Sequence, residues 1–216
     1  MSDSQTVSVI IRNHNEHQYI GFAIQSVLDF IPNAEIIVID DHSTDDSLAV
    51  IKLFNNRSDI KVITIDDYSP GKSLNLGVKA ATNETLLFLS AHCQITKFNL
   101  KYIIDQLKTY SAVFGNQTPI YRGKKISKRY IWSHFGKNEI VNMFSSIEDR
   151  QFLHNAFCFY RKDVLLDTPF SENLFSKEDR YWADDIVKAG KNYLYTPIIE
   201  ANHFYTTNGA TWKGIG

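Results

Sequence analysis

Short runs of β-branched and aliphatic residues, each closed by a polar cluster and followed by helical spacing, dominate the first half of this 216-residue chain. Residues 7–11 end at Arg12-Asn13-His14-Asn15-Glu16. Residues 19–30 then carry Ile20, Ala23, Ile24, Val27 and Leu28 at helical intervals, closed by Pro32-Asn33. Residues 35–39 form a second run and meet Asp40-Asp41-His42-Ser43-Thr44. Ser43 or Thr44 can cap a helix over 45–55, with Asp45 and Asp46 in its first turn. Residues 61–65 form a third run, and a helix over 72–81 follows Pro70-Gly71. Residues 85–89 form the fourth, ending at Ser90-Ala91-His92-Cys93. Few architectures accommodate this alternation. Consecutive βαβ units build an α/β fold with a mostly parallel central sheet and helices on both faces. Ligands of such sheets bind outside the carboxyl ends of the strands, so the polar clusters are the candidate functional residues.

The rhythm changes near Asn116, after an expected helix over 98–110 and a strand over 112–114. Residues 122–137 interleave Arg122, Lys124, Lys125, Lys128 and Arg129 with Tyr130, Trp132 and Phe135. This segment reads as an excursion over the sheet edge: a solvated basic face, a membrane-proximal patch or a grip on a phosphate-bearing acceptor. A strand over 156–160, a short helix over 163–166, a helix over 178–189 with Gly190 as its C′ residue and a strand over 192–195 complete the pattern. A polar and aromatic tail follows from His203.

Composition narrows the function classes. The formal net charge is −1, so no basic field points to nucleic acid. The two cysteines, Cys93 and Cys158, form no C-x-x-C pair and no disulfide framework, which fits reduced thiols. The polar start Met1 to Thr6 has no apolar signal region, and no run approaches the roughly 20 residues needed to span a bilayer. A cytoplasmic protein is expected.

Four constellations carry chemistry. Asp40-Asp41 can accept hydrogen bonds from a base N–H or ribose hydroxyls, or simply open a turn. Lys72 and Asn75 lie three apart at a helix start, suited to a diphosphate or to solvent; no G-x-x-x-x-G-K-[ST] loop accompanies them. Glu178-Asp179 opens a helix, where carboxylates serve the dipole. Beside Trp182, Asp179 can instead take a proton from a sugar hydroxyl. His203 paired with His92 can hold a divalent cation, imidazole favouring transition metals over Mg²⁺.

In this order along the chain, residues 7 to 205 resemble the family-2 inverting glycosyltransferases of GT-A fold. Val7 to Glu16 looks like the family's V-S-V-I-I-P-x-Y-N-E, and residues 38–45 like V-D-D-G-S-x-D. Residues 71–77 are similar to G-x-x-x-A-x-N-x-G, residues 88–93 fall at F-L-D-A-D-D, and Glu178-Asp179 matches the late E-D. A narrower likeness to a rhamnosyltransferase-like branch, with S-A-H in place of D-A-D, lies in Asn116-Gln117, Asn155-Ala156, Arg161 and residues 178–183.

The resemblance implies a single domain over 1–216, with a nucleotide-binding half about 7–115 and an acceptor-binding half about 116–216. It implies an enzyme moving a sugar from a UDP-, dTDP- or GDP-sugar to a glycan or lipid-linked acceptor in surface polysaccharide or glycoconjugate synthesis. Such an enzyme could work at the inner face of the membrane. The donor would lie on Arg12, Asn13, Asn15, Glu16, Asp40, Asp41, Lys72, Asn75, Ser90, Ala91 and His92. Asp179 would be the catalytic base, with Glu178, Trp182 and Asn155 at the acceptor. His92 and His203 would hold Mn²⁺ or Mg²⁺. Three departures stand out. Arg12 replaces proline, His42 replaces glycine, and Ser90-Ala91-His92 replaces Asp-x-Asp, leaving Arg12 and Lys72 as the nearby cations. Two alternatives remain: a non-catalytic binding relative, and a sugar-phosphate nucleotidyltransferase. The latter would carry a glycine-rich loop after its first strand, which residues 12–16 lack.

Overall fold

The computed structural model describes residues 6–56, 59–126 and 129–209. Lys128 and the end of the tail lie outside them. The chain runs β1 (Val7–Asn13), α1 (Ile20–Phe30), β2 (Glu35–Asp40), α2 (Ser47–Lys52), β3 (Ile60–Thr64), α3 (Pro70–Ala80), β4 (Thr85–Ser90), β5 (Cys93–Lys97), α4 (Leu100–Leu107), β6 (Ala112–Tyr121) and β7 (Lys124–Lys125). It continues through α5 (Tyr130–Ser133), β8 (Ile140–Val141), β9 (Phe144–Ser145), β10 (Arg150–Gln151), β11 (Phe157–Arg161), α6 (Lys162–Asp167), α7 (Glu178–Lys188) and β12 (Tyr193–Phe204).

The main sheet has the order β3-β2-β1-β4-β11-β6-β12-β5. β1 pairs in parallel with β2 and β4, β2 with β3, and β6 with β12. β11 inserts antiparallel between β4 and β6, and β5 runs antiparallel to β12. The sheet is therefore mostly parallel, as its alternating sequence requires.

Its two faces bury two apolar layers. Val7, Val9 and Ile11 of β1 face α1, α2 and α4, whereas Ile10, Ile37, Ile39 and Phe88 face α3, α6 and α7. Both cysteines are fully buried, and burial pushes their thiols well up, which keeps them protonated and unreactive.

Two elements exceed the sequence reading. The last strand runs to Phe204 rather than stopping at 195, carrying His203 into the sheet. Pro197 does not end it, because the register shifts between Thr196 and Glu200 and absorbs the missing donor. β5 follows β4 after only Ala91 and His92, too short a gap to read as a turn between strands. Helix α2 is shorter than expected and starts at Ser47. Ser43 does not cap it, because its hydroxyl donates to Asp40; Asp45 instead accepts from Ser47 N at 2.9 Å.

The basic and aromatic excursion divides. Lys124 and Lys125 are exposed on β7, but Ile131 and Trp132 of α5 are buried over the sheet. Its aromatic half is thus core cover rather than a solvated face.

Candidate functional site

Parallel pairing of β1 with β2 and β4 delivers Asn13, Asp40 and Ser90 to one edge of the sheet. Asp40 is buried there, and an unpaired buried carboxylate would be costly. Asn13 Nδ2 donates to Asp40 Oδ1 at 2.7 Å, and Ser43 donates to Asp40 through N (3.0 Å) and Oγ (2.7 Å). Asn13 and Asp40, expected at the donor, are therefore an internal clasp between the loops after β1 and β2. Asn13 Nδ2 and the Asp40 carboxylate are engaged with each other, while Asn13 Oδ1 is buried with no hydrogen-bond partner among the described residues. Asp41, one residue on, keeps a partly exposed carboxylate at the same edge.

The loop after β1 is stitched down further. Asn15 takes φ +54°, and its Oδ1 accepts from Thr44 N at 2.7 Å. Asp45 accepts from His17 N at 3.0 Å as well as from Ser47. Burial opposes ionisation of Asp45, but these bonds outweigh it and hold the carboxyl down at about 2.

His42 takes φ +46° where the resembling pattern has glycine. Its ring meets the exposed Asp66, at 3.0 Å, and such a surface pair contributes little. His42→Gly is expected to stabilise the protein by about 0.5–1 kcal/mol by relieving the left-handed backbone. Urea unfolding checks this; equal or lower stability would mean that the His42–Asp66 contact outweighs the strain.

Beyond β4, Glu16 Oε1 lies 3.1 Å from His92 Nδ1, and the His92 and His203 rings are 4.9 Å apart. The structure thus joins the two histidines that are 111 positions apart in the sequence. His203 is fully buried, its Nδ1 2.8 Å from Gln117 Oε1, under Trp132 and beside His154. Burial, then the neighbouring histidines, pushes His203 well below the usual imidazole range; burial and Arg180 do the same to His154. Both rings are neutral near pH 7.

A divalent cation is implied by the resembling pattern, but the side chains here do not fit one. Mg²⁺ needs oxygen ligands, and Mn²⁺, which imidazole can also hold, still needs several groups turned to one point. Ser90 offers a hydroxyl in place of a carboxylate, and the Glu16 carboxylate faces His92. His203 is enclosed. No group of three His, Cys, Asp or Glu among the described residues is arranged to hold a metal ion.

Across the edge, α7 brings its first turn to the same place. Lys177 precedes it with φ +61°. Glu178 accepts from Arg12 Nη1 at 3.0 Å, which joins α7 to the end of β1. Asp179 is buried. Its Oδ1 accepts from Arg180 N at 2.9 Å, and its Oδ2 from Asn155 N at 3.0 Å and Arg180 Nη1 at 2.7 Å. A carboxylate has roughly four lone-pair sites, so one remains on Oδ1. Burial raises the Asp179 carboxyl above its ordinary value, and Arg180 pulls it back only in part.

Asn155 Oδ1 accepts from the Tyr160 hydroxyl at 2.5 Å, while its buried Nδ2 has no partner among the described residues. Glu148 and His154 are participants that the sequence reading missed, and Arg180 and Gln117 stood there only inside motifs, with no role. Arg180 stood inside the Glu178–Trp182 run, and only its side-chain direction reveals its role. Its guanidinium lies 4.3 Å from the Phe152 ring centroid and donates to Leu153 O at 2.6 Å.

Three other expectations are corrected. Trp182, expected to stack on a sugar, is buried. Its Nε1 donates to Thr168 O at 2.8 Å, and its ring packs on Tyr160 and Phe170, because it lies on the inner face of α7. Asn75, expected near the diphosphate, donates to Phe170 O at 2.9 Å and accepts from Phe170 N at 3.1 Å, so its amide is occupied by backbone. The N-terminus of α3 is closed by Ser69, which accepts from Lys72 N at 3.1 Å and donates to Glu172 O at 2.7 Å. Lys72 stays at the rim, paired with the exposed Asp67.

Comparison with known proteins bears on the family and the fold. The family model for Glycosyl transferase family 2 matches residues 8–168. The minor teichoic acid biosynthesis protein GgaA of Bacillus subtilis is 26% identical over 211 residues, which cover 92% of this chain and 46% of that protein. A GalNAc(5)-diNAcBac-PP-undecaprenol beta-1,3-glucosyltransferase of Campylobacter jejuni is 26% identical over 184 residues, covering 82% of this chain and 59% of that one. The chain thus spans about half the length of these two relatives. Among solved structures, S. aureus TarS 1-349 in complex with UDP-GlcNAc superposes with a TM-score of 0.73 at 23% identity, over 98% of this chain and 62% of that one. GalNAc-T7 with UDP, GalNAc and Mn²⁺ gives 0.72 at 18% identity, over 97% and 45%. These likenesses establish the GT-A type of α/β fold. The family's model extends from the first strand through the strand-end loops to α6, and on that match the chain belongs to glycosyl transferase family 2.

Proposed function

We propose that the protein is an inverting glycosyltransferase of cell-surface polysaccharide or glycoconjugate synthesis. It moves a sugar from a nucleoside diphosphate sugar to a glycan or lipid-linked acceptor. The observation that carries the reading is the position of Asp179, a buried carboxylate with one open lone pair beside the carboxyl ends of β1 and β4.

The acceptor hydroxyl oxygen attacks the anomeric carbon while Asp179 takes its proton. The bond from that carbon to the diphosphate oxygen breaks, and the nucleoside diphosphate leaves with the electron pair. A single displacement inverts the anomeric centre. Residues 7–115 carry the donor, with Asp41 accepting from the base. Residues 116–216 carry the acceptor, and the free Nδ2 of Asn155 donates to one of its hydroxyls.

TarS binds UDP-GlcNAc, and GalNAc-T7 binds UDP, GalNAc and Mn²⁺. This favours a uridine nucleotide for the donor here. The Campylobacter relative's undecaprenol-linked substrate favours a lipid-linked acceptor, met at the cytoplasmic membrane face. Among the described residues no helix is long and apolar enough to cross a membrane, so contact with that face would be peripheral.

A thermal-shift panel of UDP, GDP, dTDP and CMP tests the reading. A ligand that binds only the folded state at about a hundredfold above its Kd adds about 2.7 kcal/mol of stability. One nucleoside diphosphate is expected to raise the melting temperature by several degrees. No response to any of the four would reject the transferase reading in favour of a non-catalytic relative.

A further inference from the structure

We propose that this chain holds the donor's diphosphate without a divalent cation, with the Arg12 guanidinium supplying the positive charge. The inference rests on the donor site proposed above. Arg12 and Ser90 are register partners on the parallel strands β1 and β4. Partners in adjacent strands lie about 4.8 Å apart and share a sheet face. Position 90 is where the resembling pattern has a carboxylate, and position 12 is where it has proline. Against that pattern the chain gains a cation at position 12 and lacks the carboxylates at positions 90, 92 and 93. Ser90, His92 and the enclosed His203 supply no carboxylate, and the one nearby, Glu16, is engaged by His92 at 3.1 Å.

Arg12 is built for the role. Among the described residues its side chain makes one hydrogen bond, from Nη1 to Glu178. Guanidinium has five N–H donors in a fixed fork that matches phosphate oxygens, so most of that fork remains available. Its side chain is 24% exposed, enough to meet a ligand at the edge. Glu178 fixes its direction. Lys72, the other nearby cation, is paired with Asp67 beyond the closed start of α3.

The test is calorimetric titration of the intact protein with UDP, GDP and dTDP, in EDTA and then in Mn²⁺, with uridine, guanosine and thymidine as diphosphate-free controls. The diphosphate that binds wild type is expected to bind with an affinity that changes less than about threefold between the two conditions, because no charge is missing. Arg12→Met is expected to weaken that diphosphate by about tenfold or more while leaving its nucleoside unaffected, since a charge-assisted fork is lost. Arg12→Lys, which keeps the charge and the pairing to Glu178, is expected to fall between them. It guards against a methionine variant that fails to fold. Binding abolished by EDTA and restored by Mn²⁺ would overturn the inference, as would Arg12 variants that bind the diphosphate like wild type. If none of the diphosphates binds wild type in either condition, the donor site itself is wrong and the inference falls with it.

Discussion

Asp179→Asn is expected to lower sugar transfer by roughly 10²–10⁴-fold, the range that a positioned general base contributes. The amide is nearly isosteric. Its oxygen can still accept from Asn155 N, as Asp179 Oδ2 does at 3.0 Å. What it cannot do is take a proton. The substitution also leaves Arg180 with a weaker partner, so some stability is lost as well. Arg180 keeps its bond to Leu153 O and lies near Glu148, at 3.8 Å, which limits that loss. Circular dichroism and unaltered nucleotide affinity separate the two effects. Near wild-type transfer by a folded variant would remove Asp179 as the base.

The same group sets the pH profile. A base works only when deprotonated, so activity falls as pH drops through its pKa. Burial, opposed in part by Arg180, raises that pKa above the ordinary aspartate value of 3.8. The acid limb of kcat/KM is therefore expected above the ordinary aspartate value. A limb at or below about 4 would place the titrating group on an unperturbed carboxylate instead.

Gly71→Ala is expected to cost about 3 kcal/mol, at the upper end of the usual range for overpacking a buried site. A Cβ on Gly71 would lie 2.1 Å from Ser171 O and 2.8 Å from Ser171 C. Both are backbone atoms, and neighbouring bonds hold them: Ser69 to Glu172 O, and Asn75 to Phe170. The segment cannot yield without breaking that set. At Gly77 a Cβ would meet the Ile10 side chain at 2.5 Å, and a side chain can adjust more readily than backbone.

Urea unfolding and calorimetry check the Gly71 prediction, with a melting temperature lower by about 6–12 °C for a chain of this size. Transfer activity should fall too, because the displaced segment leads directly into the turn that carries Glu178 and Asp179. A loss of less than about 0.5 kcal/mol would show that residues 170–172 do not lie against the first turn of α3.

The sequence by itself determined the layered α/β fold, the order along the chain of the first four strands and helices, and the edge where the candidate site is proposed. These follow from periodicity and burial, which are local and additive along the chain. Gly71 and Gly77 were visible as a motif, but their reason was not: each marks where another segment comes too close for a Cβ. Asp41 has a partly exposed carboxylate and Asp179 a buried one bonded to Asn155 and Arg180, whereas Asn13, Asp40, Asn75 and Trp182 are held by neighbouring protein groups. Nothing in a residue's type says whether its polar atoms will meet ligand or backbone.

Only the tertiary structure decided those partners. It put Asn13 against Asp40, Asn75 against Phe170, and Arg12 beside Ser90 and Glu178. It also carried His203 through a long, shifted strand to His92. Each of these pairs but the first joins residues more than 70 positions apart. Such pairing depends on strand order and register across the whole sheet, which a run of residues does not encode until the sheet has closed around it.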